Sequence, residues 1–203
     1  MARPRSAHYP EIREQILQQA ARLFAAQGFT GTAISELALA CGFSKAALYH
    51  YFTSKEAILE ALLSDHLADL LDLTADSVDG SGDAAVRFRR FVAASMAVYA
   101  RTRDKHVVLM NDLERLPEAA RQRVRRQERA LADRLAELLL EINPALADDP
   151  RLGMPYTMMF FGLLNWTYVW FDEDGALSAE EFAERAADLF LDGFRAATPE
   201  PFP

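Results

Sequence analysis

The chain has 203 residues, 51% hydrophobic and 26% charged, with nine glycines, nine prolines and one cysteine. That composition is globular: it excludes a disordered, collagen-like or low-complexity chain, and a single cysteine excludes an internal disulfide framework or a cysteine-rich zinc site. The net charge of −8 argues against a coat protein that binds nucleic acid non-specifically, yet leaves room for a small DNA-reading module on an acidic body.

The N-terminus is basic, with Arg3-Pro4-Arg5 read as either a tail or an arm for the minor groove. No apolar signal-peptide core follows, and no run of about 18 uncharged apolar residues occurs, so a cytoplasmic protein is expected. Strand alternation and hairpin signals are nearly absent, while apolar residues recur at spacings of three and four. The first helix is predicted over Tyr9–Gln27, with Ile12, Ile16, Leu17, Ala20, Leu23 and Phe24 inward and Gly28 as its stop. Short helices follow over 33–41 and 45–51, separated by Gly42, with Ser44 as N-cap of the second. A long helix is predicted from Thr53 or Ser54 to about Asp76, before the Asp79–Asp83 linker. Further helices are expected over 84–102, 104–116, 117–142 and 178–197, the last opened by a Ser178/Glu181 capping box. The most apolar stretch, 151–171, is read as one helix. Charge is uneven along this order: +1 over 1–60, −5 over 61–82, +6 over 83–130 and −10 over 131–203.

Two short helices joined at a glycine and packed on a longer first helix make a helix-turn-helix pattern in an N-terminal three-helix bundle. The second helix must present a slim leading turn, which Lys45-Ala46-Ala47 supplies, and its first backbone N–H groups suit phosphate. Leu37, Ala38, Phe43, Leu48 and Phe52 are the expected small core. Lys45, Tyr49 and His50 remain as polar groups able to reach DNA.

The run Gly28–Ile58, above all Gly42-Phe-Ser-Lys45 and Leu48-Tyr-His-Tyr-Phe52 with Lys55, resembles the DNA-binding region of the TetR (tetracycline repressor-like) family. The resemblance implies an all-α homodimer with a DNA-binding head and a ligand-binding body, repressing an operator until a small molecule releases it. It implies phosphate contacts at Thr32, Tyr49 and Lys55, and a major-groove face of Lys45, Ala46, Ala47 and His50, with Ser44 in the same DNA-facing set. Ala33 stands where the family usually has Ser or Thr, and Ala47 replaces a common Thr, leaving a methyl group that can meet a thymine methyl but forms no hydrogen bond. Gly162–Phe182 followed by Ala187–Gly193 resembles a subgroup that regulates fatty-acid, steroid-ring and phenylacetate catabolism, which implies an acyl-CoA thioester effector.

Such an effector needs an apolar tunnel and cations. Phe91, Ser95, Tyr99, Met110 and Leu113 are candidate tunnel residues, with Tyr156, Met159, Phe160, Leu163 and Trp166. Arg121 and Arg125, within the cluster Arg115, Arg121, Arg123, Arg125, Arg126 and Arg129, are candidate phosphate ligands. The plainer readings are core packing for the aromatic and Met residues and a solvated face for the arginines. The last two helices, apolar on more than one face, suit a dimer interface. Asp172-x-Asp174-Gly175 reads as a capping loop, because Trp170 would occupy the first calcium position. Cys41 reads as a small buried hydrophobe, and His66 and His106 as surface or packing residues. No catalytic residues, metal site or cofactor are expected.

The expectation is thus a DNA-binding domain over 1–53 and a ligand-binding and dimerisation domain over 54–203, about nine helices in all. Two recognition helices would lie about 34–36 Å apart on a pseudo-palindromic operator. The alternatives are the same build with a drug-like or free aromatic acid effector, and an all-α enzyme or a dimerisation module that does not bind DNA.

Overall fold

The computed structural model describes residues 9–149 and 151–198, and every regular element among them is helical. The helices are α1 (Tyr9–Gly31), α2 (Ile34–Ala40), α3 (Lys45–Tyr51), α4 (Lys55–Asp79), α5 (Ala84–Arg101) and α6 (Arg103–Asp112). They continue with α7 (Glu118–Ile142), α8 (Gly153–Asn165), α9 (Thr167–Trp170) and α10 (Ala179–Phe194). Short 3-10 turns occupy Leu113–Arg115 and Pro144–Asp148. No described helix is long and apolar enough to cross a membrane. Arg3-Pro4-Arg5 lies outside the described residues.

Local chemistry accounts for the ends. Gly28, at φ 77° and ψ 155°, breaks α1 three residues before its end at Gly31. The Asp83 side chain accepts the N–H groups of Ala85 and Val86 at the start of α5. Ser178 and Glu181 form the reciprocal capping box at α10. The apolar stretch expected as one helix divides at Trp166, after which α9 adds a single turn. Asn143 donates its amide to the carbonyls of Phe194 and Ala197, 2.8 and 3.0 Å away, satisfying acceptors that the end of α10 leaves open.

Contacts divide the chain into two compact units, one of residues 1–66 with 104–124 and one of 67–103 with 125–203. The division falls inside α4, after the first residue of α6 and inside α7. The second unit has an aromatic core: Phe160 lies 4.9 Å from Phe88 and 5.1 Å from Phe190, ring centre to ring centre. In the same unit, buried Arg87 donates to the Val78 carbonyl at 2.6 Å and pairs with Glu141.

The first unit contains a buried imidazole pair. His66 Nε2 and His106 Nδ1 are 3.3 Å apart and both rings are fully enclosed. Burial, reinforced by His106 and Lys105, lowers the His66 pKa from 6.5 to about 3. The folded protein therefore keeps His66 neutral where the unfolded chain binds a proton, and stability falls as the pH drops from about 6.5 towards 3. Urea midpoints should decrease steadily between pH 7 and pH 5, and His66→Leu should flatten that slope. An identical slope in the variant would refute the assignment.

Candidate nucleic-acid interface

The head is assembled around Gly28. Its positive φ ends the regular part of α1 and turns Phe29 inward, against Phe24 at 5.3 Å between ring centres. Phe29 N–H then donates to the Asp112 carboxylate at 3.2 Å. Burial raises the Asp112 pKa, while the Phe29 N–H and the charges of Arg115 and Lys55 oppose that rise. Lys55, at the start of α4, donates from Nζ to the carbonyls of Phe29 and Thr32, at 2.8 and 2.9 Å, and stands 4.3 Å from the Phe29 ring centre. Thr32 is buried, and its hydroxyl donates to the Gly28 carbonyl at 3.0 Å. Two residues expected on phosphate, Thr32 and Lys55, are thus engaged with main-chain carbonyls.

Ala33 is the N-cap of α2, and no side chain caps that end. Leu37 and Ala38 face inward, and Cys41 is buried, with its thiol pKa pushed up by desolvation. Gly42 then takes φ 72°, a left-handed conformation that side-chain-bearing residues rarely adopt, and Phe43 N–H closes the turn on the Ala38 carbonyl at 2.8 Å. Ser44 caps α3 by accepting the Ala47 N–H at 3.1 Å.

Leu48 is the one fully buried residue of α3, so the opposite side of the helix faces solvent. Ser44, Lys45, Ala46, Tyr49 and His50 are exposed and Ala47 is half-buried. Tyr51 holds the helix in place: its ring stacks on Tyr9 at 4.9 Å and on Phe43 at 6.4 Å. Arg13 pairs with Asp65 at 2.7 Å, which fastens α1 to α4 within the same unit. The motif contains Tyr51 without giving it a role, and it does not reach Asp112. Tyr51 was visible as one ring of an aromatic run, but Asp112 lies 83 residues from Phe29 and leaves no local signal.

The residues expected around an effector are spread more widely. Phe91, Ser95, Tyr99 and Phe160 are buried in the second unit, while Tyr156 and Leu163 are half-buried there. Tyr99 OH donates to Asn165 Oδ1 at 2.7 Å, and burial raises its pKa. Ser95 Oγ is enclosed without a hydrogen-bond partner. Met159 and Trp166 face solvent, at 63% and 59% exposure. Met110, Leu113 and Arg121 belong to the first unit, where Arg121 pairs with Glu114 and Glu118. Arg125 is exposed.

A short glycine turn between two small helices, the second held on one buried leucine and showing Lys, Tyr and His outward, defines a helix-turn-helix protein. The family described as "Bacterial regulatory proteins, tetR family" matches residues 16–62, and "Tetracyclin repressor-like, C-terminal domain" matches residues 81–194. A solved TetR-family transcriptional regulator from Bordetella parapertussis is 40% identical, with a TM-score of 0.86 over 93% of this chain and 98% of that one. The HTH-type transcriptional repressor KstR2 of Mycolicibacterium smegmatis is 26% identical over 190 residues, 89% of either chain. AibR, solved with isovaleryl coenzyme A and operator DNA, shares the fold at 24% identity and a TM-score of 0.76, over 91% of this chain and 98% of that one. The chain belongs to the TetR family of transcriptional regulators. The Bordetella parapertussis protein and KstR2 are named as transcriptional regulators, not enzymes.

Proposed function

We propose that this regulator is a homodimeric repressor that binds a pseudo-palindromic operator and is released by an acyl-CoA thioester. Residues 1–53 carry the DNA-binding surface and 54–203 the effector-binding and dimerisation surfaces. The observation that carries the DNA half is the exposed Lys45, Ala46, Tyr49 and His50 face of α3, opposite a fully buried Leu48. Dimerisation draws on the apolar surface of α8–α10: Met158, Met159, Trp166, Trp170 and Leu189 are each more than half exposed. The effector half draws on Ser95 and Tyr99, polar groups one helical turn apart on the buried side of α5. The AibR complex, which holds isovaleryl coenzyme A and operator DNA, favours a CoA thioester. Arg121, tied to two glutamates, favours the second reading, a free aromatic acid or a drug-like effector. Effector binding would act by biasing α4 between two states that differ in effector affinity.

The test is a gel shift on the protein's own promoter region, followed by addition of CoA thioesters, the matching free acids or CoA alone. Wild type should retard the DNA, and the Tyr49→Ala/His50→Ala double variant should bind at least tenfold more weakly, about 1.4 kcal/mol. A CoA thioester should release the complex and raise the thermal midpoint of the free protein, since it binds only the folded state. Full binding by the double variant would remove α3 from the interface. Release by free acids alone would select the second reading.

A further inference from the structure

This inference rests on the operator-binding reading and narrows it to base chemistry. Successive residues of a helix advance about 100° around its axis. With Leu48 as the buried pole of α3, Ala46 and His50 stand near the opposite pole, one turn apart. Lys45 and Tyr49 form one flank of that face and half-buried Ala47 the other. One of the two central positions is therefore a methyl group, small enough to let the helix approach the floor of a groove.

The donor and acceptor inventory of this face is short. From Gly42 to Tyr51 there is no carboxylate, carboxamide or guanidinium. That removes the arginine fork on guanine, the Asn or Gln pair on adenine and the carboxylate on the cytosine amine. Ser44 already spends acceptor capacity on the Ala47 N–H. The polar groups left on the exposed side are the Lys45 ammonium, the Tyr49 hydroxyl, the His50 ring and the Ser44 hydroxyl, which keeps its O–H donor. The apolar group at the centre matches the one apolar landmark of the major groove, the thymine C5-methyl.

We propose that Ala46 is a specificity-determining residue, its side-chain methyl packing on the C5-methyl of one thymine at a fixed position in each operator half-site. Burying a methyl-sized group is worth about fourfold in affinity.

The full-length protein, without effector, selects its site from a random duplex library. Each thymine of the selected site is then replaced by deoxyuridine, which keeps the base pair and loses only the methyl. One uracil position per half-site should weaken binding about fourfold, and both together about sixteenfold if the half-sites add. Ala46→Gly should bind the thymine duplex with the same deficit and no longer distinguish it from the uracil duplex. The uracil scan with wild type decides the matter even if glycine loosens α3. Indifference to uracil at every position, or discrimination that survives in Ala46→Gly, overturns the inference. Failure to enrich any duplex overturns the operator-binding reading itself, and this inference with it.

Discussion

Phe160→Ala should lower the free energy of unfolding by about 3–5 kcal/mol. Phe160 is fully buried, and Phe88, Phe91, Phe161 and Phe190 all lie within 6.5 Å of it between ring centres. Alanine removes the ring and leaves a void lined by other rings, which cannot all collapse onto it without leaving their own contacts. The edge-on contact with Phe88 at 4.9 Å adds to the loss. Phe160→Leu, which retains more of the volume, should cost less than the alanine variant. Urea unfolding of both variants gives the comparison. A change below about 1 kcal/mol for alanine would mean that the ring borders open space rather than packed core, and would favour a role in lining an effector pocket.

The second large effect concerns Lys55. Lys55→Met keeps most of the aliphatic stem and removes the ammonium. Two charge-assisted hydrogen bonds, to the carbonyls of Phe29 and Thr32, are lost together with the contact over the Phe29 ring. Hydrogen bonds to charged groups contribute about 1.5–3 kcal/mol each, and the side chain is half-buried, so a loss of about 2–3 kcal/mol is expected. The decisive condition is the absence of DNA. A lysine that serves the fold lowers the urea midpoint with no nucleic acid present. A lysine that serves only phosphate leaves the midpoint unchanged and reduces the slope of log affinity against log salt by about one.

The same residue shows where sequence reading stops. Lys55 fits a family motif for phosphate, and a motif records that a charge is needed without saying what it touches. Thr32 shares this ambiguity: its hydroxyl is buried against the Gly28 carbonyl. The elements themselves were legible because their signals are local. Ser44, Asp83 and Ser178 mark helix starts by capping chemistry, and α3 spans Lys45–Tyr51 as its flanking Gly42 and Ser44 imply. The break at Trp166 was not legible, because an unbroken apolar run carries no punctuation. His66 and His106 are 40 residues apart, so nothing in the sequence announced that two imidazoles would be enclosed together. Of the residues expected around an effector, periodicity identified the buried side of α5 in Phe91, Ser95 and Tyr99. It could not separate the inward Phe160 from the outward Met159 beside it, since α8 is apolar on both sides.

The reach of Asp112 back to Phe29 bears on how such regulators can be recombined. The groups that complete the head include Asp112, Lys105, which pairs with Glu14, and Arg123, which pairs with Glu60. All three are encoded far downstream of α3. A chimera that transplants only the first 60 residues onto a foreign body would strand their partners. One that carries residues 104–124 along with them would keep this wiring intact.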